Sequence, residues 1–159
     1  CKEIVPFELT WLNQIFGDPD LLSSMKGRIG LKNVDIDDFY HFSLKYPNNV
    51  FANITIEVLS QPNAMREMRI TGDEGQIVFN QDDNVVKIAT KDVSWKSFYI
   101  EEKEKEKGYI NPEKPYINEL NDFINAVRLK NNSLFPNTLS KDLKVLKLLK
   151  KIDSNSKSL

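Results

Sequence analysis

Few residues of this chain could carry out chemistry, and their types and spacing exclude several kinds of active site. The sequence has one cysteine and one histidine among 159 residues, too few for a closed zinc site, so no metal is predicted. A Ser-His-Asp triad would need His41, which alternates with Tyr40 and Phe42 and is expected to be a packed or surface residue of a strand. Cys1 has no neighbouring base in the sequence, so a catalytic thiol is not predicted either.

A pair of glycines is the next candidate for chemistry. Residues 65–79 read MREMRITGDEGQIVF, and the alternation on both sides of the break predicts two strands joined by a tight turn. Gly72 and Gly75 frame that turn and suit positive φ angles. Because the pair lies between two strands and not before a helix, it is not expected to bind a phosphate, and no G-x-G-x-x-G or P-loop pattern occurs in the chain.

The composition is that of a globular domain with no polyanionic partner. It is 40% hydrophobic and 28% charged, and one domain spanning residues 1–159 is expected. The formal charge of −1 gives no field that would attract nucleic acid or an anionic membrane, and the apolar runs are too short to span a bilayer. A single cysteine fits a reducing cytosol, so a cytoplasmic location is expected. Because the first residue is Cys1 and not Met, the chain is expected to be part of a longer protein.

The predicted elements give an α+β fold with an open, mostly antiparallel sheet of six or seven strands and helices packed on one face. A helix is predicted over residues 6–16, ended by Gly17. The predicted strands cover residues 22–32, 37–46, 50–60, the two arms of the 65–79 hairpin, 84–90 and 95–100. The outer face of strand 50–60 mixes aromatic, aliphatic and polar side chains, which suits a subunit interface.

Two amphipathic helices are predicted to close the chain, over residues 116–129 and 138–153. The first has an apolar stripe of Ile117, Leu120, Ile124 and Val127. The second has a stripe of Leu143, Leu146, Leu149 and Ile152. Both stripes are expected to pack on the sheet. The charged run EEKEKEK at residues 101–107 is expected to be solvated, and residues 153–159 are expected to fray.

Several motifs, in order along nearly the whole chain, resemble the C-terminal domain of the Gfo/Idh/MocA oxidoreductases, the family of glucose–fructose oxidoreductase and inositol dehydrogenase. The 65–79 hairpin resembles the family's R-x-x-x-T-G-x-x-G hairpin. The segment PFELTWLNQIFG resembles its helix ending in WLFG, and DIDDF resembles the V-x-D entry to a central strand. YPNNVFANI is similar to F-x-N-G-x-x-G-x-I, and YINELNDFINAV is similar to Y-x-x-E-L-x-D-F-I-x-A-I.

The resemblance implies the substrate-binding and oligomerisation half of an NAD(P)-dependent oxidoreductase that acts on a sugar, sugar nucleotide or polyol. The Rossmann domain and the catalytic lysine would belong to an N-terminal half that this chain lacks. NAD or NADP would therefore bind the full-length protein, and no cofactor is expected to bind this chain alone. A homo-oligomer formed through the open sheet face is also implied. The alternative is a non-catalytic assembly or ligand-sensing module with the same fold.

The resemblance also points to site residues. The family's acid–base helix reads D-x-G-x-H-x-x-D, and one register places Glu3, Phe7 and Thr10 at its first aspartate, histidine and last aspartate. Phe7 cannot accept a proton. A second register aligns Lys2-Glu3 with the H-E of some relatives, which makes Lys2 the substitute for histidine; a desolvated lysine can exchange a proton. Lys2 and Glu3 are therefore the candidate catalytic residues.

Three further residues are candidates for substrate binding: Glu8, Thr10 and Tyr116. Tyr116 could equally be a packing aromatic of its helix. The tripeptide Glu113-Lys114-Pro115 matches the family's E-K-P motif in letters, but it precedes a helix and is interpreted as a helix start.

Overall fold

A computed structural model describes most of the chain, which folds as two compact units. The first unit comprises Cys1–Pro62 and Pro136–Leu159, and the second comprises Asn63–Phe135. The described residues are 1–30, 33, 35–62, 64–81, 83–100, 107, 113–135 and 137–159. The predictions for the charged run at 101–107 therefore fall almost entirely outside the described residues.

The described residues form three α-helices and eight strands. The helices are α1 (Val5–Phe16), α2 (Lys114–Arg128) and α3 (Leu139–Asn155). The strands are β1 (Asp20–Gly27), β2 (Phe39–Lys45), β3 (Phe51–Glu57), β4 (Glu67–Thr71), β5 (Gly75–Asn80), β6 (Val85–Thr90), β7 (Lys96–Tyr99) and β8 (Lys157–Ser158). No helix in the described ranges combines the length and the apolar character needed to cross a membrane.

Helix α1 begins and ends where its sequence predicts. Pro6 stands in the first turn, where its missing N–H costs nothing. Gly17 ends the helix with φ 92°, a left-handed angle that favours glycine, and its N–H donates to the Asn13 carbonyl at 3.0 Å. Val5, Leu9 and Leu12 form its buried face. The helix predicted over residues 6–16 is therefore confirmed.

The first unit is built on a four-stranded sheet in the order β3-β2-β1-β8. β1, β2 and β3 pair antiparallel, and β8 pairs parallel to β1. The predicted turn Pro47–Asn49 joins β2 to β3, and Asn48 and Asn49 both adopt φ 58°, which asparagine tolerates better than most residues. Because β2 is a central strand, it is hydrogen-bonded along both of its edges and has a fixed position in the sheet.

The core of the first unit lies between this sheet and helices α1 and α3. Tyr40, Phe42 and Leu44 project from β2 into it and are at most 2% exposed. Helix α3 contributes Val145, Leu148 and Ile152. The predicted stripe of α3 is therefore partly wrong, as shown by two leucines that are more than half exposed: Leu143 and Leu146. The helix carries two overlapping apolar stripes that share Ile152, and the one with Val145 and Leu148 faces the core.

The second unit contains a four-stranded antiparallel sheet in the order β4-β5-β6-β7. The predicted hairpin over residues 65–79 is confirmed as β4 and β5. The reason for its glycines is different from the one predicted, since neither Gly72 nor Gly75 has a positive φ. A Cβ on Gly75 would lie 2.2 Å from the carbonyl oxygen of Ala89 on β6, so glycine is required there by the close approach of the neighbouring strand.

The α+β class is confirmed, but the described strands form two sheets of four and not one sheet of six or seven. The β2–β3 ladder ends where Phe39 pairs with Glu57, and the Glu57 carboxylate then accepts hydrogen bonds from the backbone N–H groups of Leu59 and Ser60. Pro62 follows and has no N–H to donate. β3 therefore ends at Glu57, and β4 starts a separate sheet.

Helix α2 does not bury the stripe that was predicted to pack on a sheet. Ile117, Leu120, Ile124 and Val127 are 42–61% exposed. The chain turns back directly after the helix into a short 3-10 turn at Asn132–Leu134, and the helix packs there, with the rings of Phe123 and Phe135 5.7 Å apart.

The end of the chain is ordered, so the prediction that residues 153–159 fray is wrong. Helix α3 continues to Asn155, and β8 then pairs with Met25 and Lys26 of β1. The N–H of Leu159 donates to the Lys26 carbonyl at 3.1 Å. Gly27 makes room for this contact, because a Cβ there would lie 2.8 Å from the Leu159 Cβ.

Candidate functional site

A polar cleft of about 690 Å³ lies in the first unit, where the start of the chain meets β1, β2 and the end of α3. Ion pairs and hydrogen bonds link the residues on its walls. The charged and hydroxyl-bearing residues that matter most here are Lys2, Glu3, Lys26, Asp37, Tyr40 and Asp153. Antiparallel pairing of β1 with β2 places Lys26 opposite Tyr40, and β2 is fixed by the core beneath it.

Asp153 is the centre of this cluster. Its Oδ2 accepts a hydrogen bond from Lys2 Nζ at 2.6 Å. Its Oδ1 accepts one from Lys26 Nζ at 2.6 Å and one from the Tyr40 hydroxyl at 3.1 Å. These donors, Lys2 first and Lys26 second, lower the pKa of Asp153 to about 2. The carboxylate therefore stays ionised over the whole physiological range.

Two of the groups that face Asp153, Lys26 and Tyr40, have raised pKa values. The hydrogen bond to Asp153 is the largest cause that raises the pKa of Lys26, and Asp37 at 3.2 Å adds to it. Burial, followed by the hydrogen bond to Asp153, raises the pKa of Tyr40 to about 12. Tyr40 therefore keeps its proton near neutral pH and is not a general base.

The cleft can bind a polar ligand through donors and acceptors on its walls. Lys2 is 51% exposed and its ammonium has three N–H donors, of which Asp153 takes one. Glu3 lines the same cleft and supplies an acceptor. Across the described ranges, no group of His, Cys, Asp and Glu side chains is arranged to hold a metal ion. The chemistry available here is hydrogen bonding and proton donation by side chains.

The structure brings only part of the predicted site together. Lys2 and Glu3 line the cleft. Glu8 accepts a hydrogen bond from the Trp11 indole at 2.7 Å along α1. Thr10 donates its hydroxyl to the Pro6 carbonyl at 2.8 Å, a bond within one turn of the helix. Both side chains thus form hydrogen bonds within α1, and neither lines the cleft.

Two other predicted positions lie on exposed surface. Phe7, which one register aligns with the family's histidine, is 72% exposed on α1. Tyr116 is 59% exposed on α2 and belongs to the second unit. Lys114 begins α2 and Pro115 stands in its first turn, which agrees with the interpretation of Glu113-Lys114-Pro115 as a helix start.

Three of the main cleft residues were not predicted from the sequence: Lys26, Tyr40 and Asp153. Lys26 and Tyr40 meet only through strand pairing across a long connection, which no local pattern reveals. Asp153 does have a local signature. It stands in the last turn of α3, where the helix dipole disfavours an anion, so its presence there indicates cationic partners from elsewhere in the fold.

No protein-family model and no curated protein matches this sequence. Solved structures do match. UDP-N-acetylglucosamine 3-dehydrogenase GnnA from Acidithiobacillus ferrooxidans is 13% identical with a TM-score of 0.72, over 96% of this chain and 45% of its own. The NADP complex of KijD10, a 3-ketoreductase from Actinomadura kijaniata, is 13% identical with a TM-score of 0.70, over 98% of this chain and 47% of its own.

A third match is biliverdin reductase from Synechocystis sp. PCC 6803, in complex with biliverdin and NADP+. It is 12% identical with a TM-score of 0.70, over 95% of this chain and 44% of its own. The chain thus spans slightly less than half the length of these proteins. The matching structures are oxidoreductases of the Gfo/Idh/MocA type. At this level of identity the likeness shows the fold, so the chain has the fold of one part of these oxidoreductases, as its motifs predict for a C-terminal domain.

Proposed function

We propose that this chain is the substrate-binding part of an NAD(P)-dependent oxidoreductase that acts on a sugar, sugar nucleotide or polyol. The observation that carries the proposal is the cleft: Lys2 and Glu3, which the family resemblance puts at the acid–base position, both line it. The likeness to NADP-binding oxidoreductases supports the same role.

In this proposal Lys2 and Glu3 contact the reacting end of the substrate. Lys2 donates a hydrogen bond from its ammonium to a substrate oxygen, and Glu3 accepts one from a substrate hydroxyl. Lys2 is half exposed, and its ammonium makes a charge-assisted hydrogen bond to the Asp153 carboxylate at 2.6 Å.

The substrate class follows from the polarity of the cleft and from the similar proteins. Ammonium, carboxylate and phenol groups within one cleft match a ligand rich in hydroxyl groups. GnnA is named for a UDP-linked amino sugar, and KijD10 has been solved with TDP-benzene as well as NADP. The biliverdin reductase is named for a ligand that is not a sugar, so the choice of a sugar nucleotide rests on the side chains of the cleft as well as on the fold.

The described residues offer no glycine-rich loop that fits a nicotinamide dinucleotide. Their nearest approach to a glycine-rich motif, Gly72 and Gly75, lies in the β4–β5 hairpin, and the space beside Gly75 is taken by the backbone of β6. A helix N-terminus, which would stabilise a pyrophosphate, is absent from that turn. The cofactor would therefore bind elsewhere in the full-length protein.

We also propose that the chain self-associates through the outer face of the first unit's sheet. This face carries Phe51, which is 60% exposed, next to a cross-strand hydrogen bond that Ser43 donates to Asn53 Oδ1 at 2.7 Å. An exposed aromatic ring among satisfied polar pairs is typical of subunit interfaces.

The second candidate is a non-catalytic assembly or ligand-sensing module. Phe7 favours it, because a phenyl ring stands where one register expects the proton-transferring histidine. The sequence that precedes Cys1 in the full-length protein would discriminate the two, since a G-x-G-x-x-G strand–helix unit with an E-K-P motif there supports the enzyme.

Isothermal titration calorimetry tests the first proposal on the chain itself. We expect UDP-N-acetylglucosamine to bind, NADP not to bind, and the Lys2→Met variant to bind the sugar nucleotide more weakly. Lys144→Met is the matched control, since Lys144 makes an ion pair of the same 2.6 Å length with Asp18 on the surface. Tight NADP binding to this chain, or equal sugar-nucleotide affinity in the wild type and Lys2→Met, would contradict the proposal.

A further inference from the structure

The two oxygens of the Asp153 carboxylate have separate partners. Oδ1 accepts from Lys26 and from Tyr40, which are the more enclosed groups of the cleft: the Lys26 side chain is 23% exposed and Tyr40 is 2% exposed. Oδ2 accepts from Lys2, which is 51% exposed. One oxygen thus fixes the carboxylate to the fold, and the other faces the open side of the cleft.

The inner partners hold the carboxylate in one orientation. Tyr40 belongs to the central strand β2 and to the hydrophobic core, so its hydroxyl has a fixed position. Lys26 is held by Asp37 at 3.2 Å as well as by Asp153, and its Nζ lies 5.9 Å from the centre of the Tyr40 ring. A carboxylate bound by a core tyrosine and a doubly paired lysine has little freedom to rotate.

Lys2 has no comparable support in its own segment. Lys2 precedes α1, and its Nζ donates a hydrogen bond to Asp153, which lies 151 positions later in the chain. A lysine side chain is long and flexible, so holding it in one geometry costs considerable conformational entropy. The position of the Lys2 ammonium in the cleft is therefore set by Asp153.

We propose that Asp153 is a positioning residue for Lys2, and that Tyr40 and Lys26 fix Asp153 for this purpose. The inference rests on the proposed function, in which Lys2 contacts the substrate. Asp153 itself does not touch the substrate: it takes one N–H of Lys2 and leaves the other two for a ligand in the cleft. This role also explains why an anion stands in the last turn of α3 against the helix dipole.

Exchange of lysine ammonium hydrogens with water, followed by 1H–15N NMR, tests this without any ligand. We expect Asp153→Asn to speed the exchange of the Lys2 ammonium several-fold. Asp18→Asn breaks the surface pair with Lys144 and should change Lys144 alone. Tyr40→Phe should still speed Lys2 exchange, because the carboxylate loses one of its fixed partners. Asp153→Glu should restore slow exchange in part.

Unchanged Lys2 exchange in Asp153→Asn, or in Tyr40→Phe, would overturn the proposal. If Asp153→Asn does not fold, Tyr40→Phe and Asp153→Glu test the proposal, since both keep a carboxylate at position 153.

Affinity for UDP-N-acetylglucosamine gives a second, functional readout. Lys2→Met and Asp153→Asn should each weaken binding about tenfold, the size expected for a charge-assisted hydrogen bond. The double variant should be no weaker than either single one, because Asp153 acts through Lys2. Additive losses would overturn the positioning role. A wild-type chain that binds no sugar nucleotide would contradict the proposed function instead, and the ammonium exchange would still decide the role of Asp153.

Discussion

Asp153 shows what one residue adds to this fold and why its role was hidden in the sequence. It ties Lys2, Lys26 and Tyr40 to the end of α3, and these contacts span 113 to 151 residues of sequence. Lys2 and Glu3 were candidates from the sequence because the resemblance aligns them with the H-E of some relatives, and both line the cleft. The sequence marks Asp153 only by its place in the last turn of α3, because its partners meet only after the sheet and α3 have formed.

The ion pairs of Asp153 predict a loss of stability in acid. The pKa of this carboxyl is lowered from its ordinary 3.8 to about 2, so the charged form stabilises the fold above about pH 4 and this stabilisation is lost as the pH falls toward 2. The shift corresponds to about 2 kcal/mol for this side chain, which is 24% exposed. Urea unfolding of the wild type and Asp153→Asn between pH 2 and 6 measures this contribution to the free energy of unfolding.

The difference between the two proteins should be largest near pH 6 and should shrink steadily below pH 4. Asp18→Asn, which breaks the exposed ion pair with Lys144, should lower the free energy of unfolding by less than about 1 kcal/mol across the same pH range. A difference for Asp153→Asn that does not change with pH would show that its ion pairs do not stabilise the fold.

At the level of single elements, the sequence predicted those helix and turn bounds that nearby residues determine. Helix α1 and the Pro47–Asn49 turn were predicted close to their observed bounds, because Pro, Gly17 and Asn favour particular backbone angles. The β4–β5 hairpin was predicted from the alternation of its side chains. The faces of α2 and α3 were predicted less well. α3 carries two overlapping apolar stripes, and only the tertiary packing selects Val145, Leu148 and Ile152 for the core.

The two glycines of the β4–β5 hairpin give a sharp test of that element. A Cβ at position 75 would meet the Ala89 carbonyl oxygen at 2.2 Å, whereas a Cβ at position 72 would meet nothing nearer than the Gly75 carbonyl oxygen at 4.0 Å. Gly75→Ala should therefore destabilise the second unit by about 1–3 kcal/mol, because backbone on β6 must move. Gly72→Ala should change stability by less than about 1 kcal/mol.

Thermal unfolding followed by circular dichroism compares the two variants directly. Equal melting temperatures for Gly75→Ala and Gly72→Ala would contradict the close approach of β5 and β6. Equal melting temperatures would instead support the interpretation from sequence, in which both glycines are needed for the backbone angles of the turn.

At the scale of the whole molecule, the α+β class was predictable and the number of sheets was not. Alternation identifies strands, but it does not say which strands share a ladder. β3 ends at Glu57, whose carboxylate accepts hydrogen bonds from the backbone N–H groups of Leu59 and Ser60. That interaction is a choice of side-chain rotamer that the sequence pattern does not reveal.

Self-association through the first unit's sheet can be tested by substitution of its exposed aromatic residue. If the outer face of the first unit's sheet is an interface, Phe51→Lys should convert the oligomer to a monomer, because a charge would replace the exposed ring. Phe98→Lys is the matched control: Phe98 is also about half exposed, but it lies on β7 of the other sheet. Light scattering that shows a strict monomer for the wild type at high concentration would contradict this interface.

NMR mapping shows whether the Lys2–Asp153 cleft binds the substrate. In a 15N-labelled chain titrated with UDP-N-acetylglucosamine, we expect the largest shift changes at the Lys2 ammonium and at the backbone amides of Glu3, Lys26 and Asp37. The amides of β4–β7 should not move. Shift changes confined to β4–β7, or none at saturating ligand, would contradict the assignment of this cleft as the substrate site.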